Sequence, residues 1–284
     1  MSLDPAQGDL VPARMVWAAS YPKSGNTWLR AVYTAAVTGA GPDINQLADG
    51  DIESSRAMFD RSLGVRSSDL THEETWALRP AADEMRTAQL RGMPWTKVHD
   101  ALRMGPGGRT VVSVTATHGA VYLLRDPRDV AVSLSYHLGV SLPQAVEVLR
   151  SQSVLMSSQD RLTPQLPQYL GTWSEHVTSW VDHDMFPVCV LRYEDCLADP
   201  AACFARALAT GGVMLGPEDV AKAVERSSLA SLQDQERRSG FREAARGTFF
   251  RRGKAGAWRE ELPTDLARQV EADHRQVMQR FGYL

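Results

Sequence analysis

A change of hydrophobic period within the first forty residues constrains this chain more than any other feature. Met15 to Ala19 is a continuous apolar run closed by Ser20, Tyr21 and Pro22, whereas from Gly25 onward Trp28, Leu29, Val32, Tyr33 and Ala36 recur at helical spacing. A short run without polar alternation predicts a strand buried on both faces, and the later spacing predicts a helix with one apolar face. The same order returns at Ala120 to Leu124, with Arg125, Asp126 and Pro127 leading into a helix over 128–137. Further strands are expected at Trp95 to His99 and Val188 to Arg192. Further helices are expected over 143–150, over 171–184, from Pro200 behind an Asp199 cap, over 217–227 and over 264–280. Strands alternating with helices predict an α/β fold: one three-layer domain across 1–284 with a mainly parallel central sheet.

A length of 284 residues, 43% apolar and 23% charged, suits one such domain, with residues 1–13 expected as a flexible tail. The net charge of -3 excludes a surface built for nucleic acid, so any anion must be held by local clusters. Cys189, Cys196 and Cys203 fall in one stretch with neither a CxxC pair nor neighbouring histidines, which argues against a disulfide scaffold or a zinc site. The opening segment lacks the basic and apolar regions of a secretory signal. No run approaches the ~20 apolar residues of a membrane span. The expectation is a cytoplasmic protein.

Ser20 to Trp28 reads SYPKSGNTW where the first strand gives way to its helix. Backbone N–H groups and a helix N-terminus can converge there on an anion, with glycine permitting close approach and lysine adding charge. The lysine precedes the glycine, and the GxxxxGK[ST] pattern of ATP- and GTP-binding loops is absent. The plain alternative is a tight turn with a solvated lysine.

The octet YPKSGNTW resembles the 5′-phosphosulfate loop of the PAPS-dependent sulfotransferases, close to YPKSGTTW. PAPS is 3′-phosphoadenosine 5′-phosphosulfate, and PAP is its product. By that resemblance Lys23 meets the bridging oxygen of the donor, Ser24, Gly25, Asn26 and Thr27 hold the 5′-phosphate, and Trp28 lies near the adenine. VYLLRDPRDVAVSLSYH, from Val121 to His137, is similar to the family's 3′-phosphate element and implies Arg125 and Ser133 as phosphate ligands. FFRRGKAGAW, from Phe249 to Trp258, looks like the family's RKGxxGDW loop, implying Arg251, Arg252 and Gly253 on the 3′-phosphate side. It departs by arginine at 252 and alanine at 257. Tyr193 and the Ser228-Leu229 pair occupy family positions near the nucleotide.

Sulfuryl transfer needs a base for the acceptor hydroxyl and cations for the departing phosphate. Thr96-Lys97-Val98-His99 resembles the family's KTH segment, which implies His99 as base and Lys97 as partner of the sulfuryl oxygens. Alternation along a strand puts both on one face. His118 is the competing histidine, and His137 is expected to cap or pack. Lys23, Lys97, Arg125 and the 251–254 loop can meet the donor's charge, so no metal is expected. The implied activity is metal-independent transfer to a small hydroxylated acceptor. Residues 41–92 and 103–118, with weak periodicity, and residues 139–170 are expected to wall its pocket. Trp76, Trp95 and Tyr169 make that pocket compatible with an apolar or amphipathic alcohol. A P-loop-like kinase for a nucleotide or small molecule, and a non-catalytic nucleotide-binding protein, are the two alternatives.

Overall fold

The computed structural model describes residues 13–155, 162–244 and 247–284, the side chains of 153–155 excepted. The tail expected at 1–13 lies outside the described residues apart from Ala13, which is buried. The first strand, β1 (Met15–Ser20), is buried along its whole length and leads through a loop to helix α1 (Asn26–Thr38). Then come α2 (Arg56–Leu63), α3 (His72–Gln89), β2 (Trp95–Val98) and β3 (Thr117–Leu124). Behind β3 stand α4 (Pro127–Leu138) and α5 (Leu142–Arg150), a short antiparallel pair β4 (Ser153–Leu155) and β5 (Gln168–Gly171), and α6 (Trp173–Val181). The chain continues as β6 (Val188–Arg192), α7 (Tyr193–Ala198), α8 (Pro200–Thr210), α9 (Pro217–Arg226) and α10 (Leu229–Ser239). It closes with α11 (Trp258–Glu261), α12 (Thr264–Asp273) and α13 (Arg275–Arg280).

The four long-range strands form a parallel sheet in the order β2-β1-β3-β6. Period-two alternation sorts each strand between two cores. Met15, Trp17 and Ala19 of β1 pack with Tyr122 and Leu124 of β3 against residues of α4, α5 and α6. Val16 and Ala18 pack with Val121 and Leu123 against residues of α1, α8 and α9. Helices on both faces leave no solvent side for the central strands, which is why β1 and β3 read as unbroken apolar runs. The expected three-layer, mainly parallel α/β domain is the one observed.

Several element boundaries differ from expectation. Residues 41–92, read as irregular, contain α2 and α3, and the Thr71/Glu74 capping box at the start of α3 is the local signal for the latter. The helix expected over 171–184 begins only at Trp173, after β5 and a second capping box of Thr172 and Glu175. The helix expected over 264–280 breaks at His274, whose ring bonds the Ser174 hydroxyl at 2.9 Å and packs edge-on to Trp173. Tertiary contacts from α6 thus override local helical periodicity.

Candidate active site

All four parallel strands end on one edge, at Ser20, Val98, Leu124 and Arg192. Residues just beyond those ends, Lys23, His99, Arg125 and Tyr193, line a single cavity of about 950 Å³. It opens where β2 and β3 diverge to either side of β1, the position at which parallel α/β sheets bind ligands.

The first loop is shaped by sterics. Lys23 holds the left-handed φ of 71° and Gly25 a φ of 105°. A Cβ at position 25 would stand 2.8 Å from the Tyr193 ring, so only glycine lets the loop pack there. The Asn26 amide bonds the Ala18 carbonyl at 2.8 Å and the Ser20 hydroxyl at 3.2 Å, stitching the turn to β1. Gly25, Asn26, Thr27 and Trp28 line the cavity, and Trp28 packs edge-on against Tyr193 and Phe204. Ser24 does not line it; its hydroxyl is buried and has no hydrogen-bond partner among the described residues. The Lys23 ammonium lies 3.6 Å from the centre of the Phe249 ring. Burial, then the charges of Lys97 and Arg125, lower its pKa to about 7, against the pull of Glu243 and Glu236.

Arg125 joins distant segments. Its guanidinium donates to the Lys23 carbonyl at 3.1 Å and the Lys254 carbonyl at 3.3 Å, and lies over the Tyr193 ring, while Nε is buried without a partner among the described residues. Ser133, Arg251, Arg252, Gly253, Ser228 and Leu229 line the same cavity. Arg251 stacks on Tyr136 and pairs with Glu261, and Arg252 pairs with Glu260 and Glu261. The Ser228 hydroxyl caps α10 by accepting from the Ser231 N–H. Leu229 fills the space beside Gly253, where a Cβ would come within 2.5 Å of it. With alanine at 257, the loop is anchored instead by Asp129, whose carboxylate accepts from the N–H groups of Gly256 and Trp258 at 2.7 and 2.9 Å.

His99 stands one residue past the end of β2. Its Nδ1 is 2.8 Å from the Ser20 carbonyl, so Nδ1 carries the proton and Nε2 is left with its lone pair and no hydrogen bond among the described residues. Burial, then the charge of Lys97, hold its pKa well below the ordinary imidazole value, which keeps the ring neutral. Behind it, His176 Nε2 donates to the His99 carbonyl at 3.0 Å and accepts at Nδ1 from the Tyr122 hydroxyl at 2.9 Å. Buried Arg79 bridges Glu53 and Asp100, and Asp100 accepts from the Tyr169 N–H, fixing the residue next to His99.

The structure adds residues that sequence reading passed over. Glu243 binds Arg30 and Lys97 at 2.8 Å each, and Arg30 also binds Asp49 at 2.5 Å. His137 packs edge-on to Phe249 as expected of a packing residue, yet it also lines the cavity; burial and Lys23 lower its pKa to about 4. His118 lies within β3 and is not part of the cavity lining. Three aromatic residues expected in the pocket are elsewhere. Trp76 and Tyr169 stack on each other at 4.3 Å, and Trp95 is buried against Tyr33, so none of them lines the cavity. Nor does any residue of 103–118; Asp51, Ile52, Ser55, Pro164, Gln165 and Gln168 wall that end instead. Among the described residues no group of three or more His, Cys, Asp or Glu could hold a metal ion, and no helix is long and apolar enough to cross a membrane.

Comparison with known proteins gives one consistent result. Residues 13–282 match the family described as "Sulfotransferase domain". The chain is 25% identical to cytosolic sulfotransferase 16 of Arabidopsis thaliana over 89% of its own length and 72% of that protein's. It is 22% identical to the 3-beta-hydroxysteroid sulfotransferase of Cavia porcellus, covering 91% of this chain and 82% of that one. Among solved structures, the fold is similar to mouse sulfotransferase SULT7A1 complexed with PAP, with a TM-score of 0.58 at 19% identity, over 94% of this chain and 85% of the other. It is also similar to retinol dehydratase in complex with androsterone and PAP, with a TM-score of 0.56 at 22% identity, over 93% and 80%.

Proposed function

The chain belongs to the sulfotransferase domain family, and from that premise we propose that it moves a sulfuryl group from PAPS to a hydroxyl of a small acceptor. The single observation that carries this reading is that Lys23, His99 and Arg125, from three separate strand ends, line one cavity with His99 Nε2 unprotonated.

The residues present fit a doubly phosphorylated nucleotide. The start of α1 and Lys23 offer one anion site, and Arg125, Ser133 and the 251–253 loop offer another. The Arg125 Nε, on a residue that lines the cavity and without a partner among the described residues, is a buried polar group of the kind a ligand satisfies. PAPS supplies the activated sulfuryl group. His99 takes the acceptor hydroxyl proton at Nε2, held in the right tautomer by the Ser20 carbonyl. Lys23 donates to the leaving phosphate oxygen, and Lys97 steadies the sulfuryl oxygens.

Ile52, Pro164 and Leu138 beside Asp51, Ser55 and Gln168 support an amphipathic hydroxylated acceptor. The cytosolic sulfotransferases among the relatives support a cytoplasmic location.

Thermal unfolding with PAP, set against ATP plus magnesium, tests the donor. PAP at a hundred times its Kd is expected to stabilise the protein by about 2.7 kcal/mol. Greater stabilisation by ATP with magnesium overturns the reading in favour of a kinase.

A further inference from the structure

Glu243 lies between α10 and the loop that begins at Phe249, and it lines the cavity. One oxygen contacts Arg30 of α1 and the other contacts Lys97 of β2, each at 2.8 Å. Arg30 already has the carboxylate of Asp49 at 2.5 Å, whereas Lys97 has no other carboxylate within salt-bridge distance among the described residues. We propose that Glu243 is a positioning residue: it holds the Lys97 ammonium charged and aimed into the cavity beside His99. The proposal rests on the sulfotransferase reading, in which that ammonium meets the sulfuryl oxygens.

The physical need is specific. Burial favours the neutral form of every titratable group, and it acts on His99 and Lys97 together. For a base, neutrality is the useful state; for a cation that absorbs developing negative charge, it is the useless one. Lys97 faces Arg30 from α1, Lys23 from the first loop and His137 from α4, with His99 just past the end of its own strand; Asp49 lies further off behind Arg30. The cations in that set push Lys97 toward losing its proton, and Glu243 is the carboxylate in contact that opposes them. It thereby separates two neighbouring groups into one neutral base and one charged lysine. A lysine stem is flexible, so the same contact also fixes where the charge sits.

Competitive acetylation across the alkaline range, read by mass spectrometry on the Lys97 and Lys23 peptides, tests this without requiring turnover. In the unaltered protein Lys97 is expected to titrate above Lys23; the reverse order overturns the proposal. Glu243→Gln is expected to lower the Lys97 midpoint by about one unit or more, a tenfold loss of proton affinity. Glu243→Asp is expected to keep the midpoint near its original position. With PAPS, Glu243→Gln should lose about tenfold or more in kcat, increasingly so at alkaline pH, while PAP affinity stays within about threefold. An unmoved midpoint, or PAP affinity falling in step with kcat, overturns the assignment. Absence of PAPS-dependent transfer in the unaltered protein would count against the sulfotransferase reading, and the labelling result would stand for Glu243 by itself.

Discussion

The main-chain carbonyl of Ser20 holds Nδ1 of His99 at 2.8 Å, so the end of β1 dictates the tautomer of a histidine just past the end of β2. The ends of two adjacent parallel strands thereby orient the His99 ring at the edge of the cavity, as the proposed base role requires. His99→Gln is expected to lower turnover by about 10²- to 10⁴-fold, the usual contribution of a positioned base, with PAP binding retained. Steady-state kinetics beside PAP titration checks it. Unchanged turnover removes His99 as the base.

The acid side of the same profile follows from burial. His99 is held well below the ordinary imidazole range, so the neutral form that the proposed base role needs persists as pH falls through the value at which a free histidine protonates. The kcat/KM profile is therefore expected to show no acid limb near pH 6.5. A limb at that position contradicts the assignment.

Lys23 has the opposite behaviour. Its pKa of about 7 in the free protein means that part of the population has lost the proton at neutral pH, and a bound anion raises it again. PAP binding near pH 7.5 is expected to take up a proton, and affinity is expected to weaken as pH rises through 7. Calorimetry in buffers of different ionisation enthalpy measures the uptake; Lys23→Met should abolish it.

Arg125→Ala removes the guanidinium that faces the cavity and bonds the Lys23 and Lys254 carbonyls. Loss of a charge-assisted hydrogen bond costs about 1.5–3 kcal/mol, so PAP affinity should fall roughly 10- to 100-fold. Adenosine 5′-phosphosulfate, which lacks the 3′-phosphate, should lose much less. Equal losses for both ligands would place the contact elsewhere.

Arg79 is buried and bridges Glu53 and Asp100, with the protonation-prone Asp83 close by. Arg79→Ala leaves two buried carboxylates without their cation and is expected to cost about 3–5 kcal/mol of stability. Chemical denaturation checks the magnitude. Because Asp100 follows His99 and anchors β5 through the Tyr169 N–H, kcat should fall more than PAP affinity does.

Much of the site was legible locally. YPKSGNTW sits in a strand-to-helix turn whose geometry depends on its own residues, with Gly25 required by a φ of 105° and by the Tyr193 ring. The strand of Arg125 and the Pro127 helix start read equally well. Glu243 could not be read: it lies in a polar stretch with no periodicity, and its meaning comes from Arg30 and Lys97, 213 and 146 positions away. Trp76 and Tyr169 were misplaced for the same reason, since an aromatic residue in a sequence does not reveal whether it faces a cavity or another ring.

Hydrophobic period and turn chemistry, properties of neighbouring residues, determined by themselves that this chain alternates strands and helices and turns at Ser20 to Trp28 from its first strand into its first long helix. Only the tertiary structure decided which strands stand side by side, and so which side chains share a cavity. Tautomer, protonation state and ion pairing at His99, Lys97 and Glu243 depend on burial and on charges brought together through space, and the chemistry follows from those.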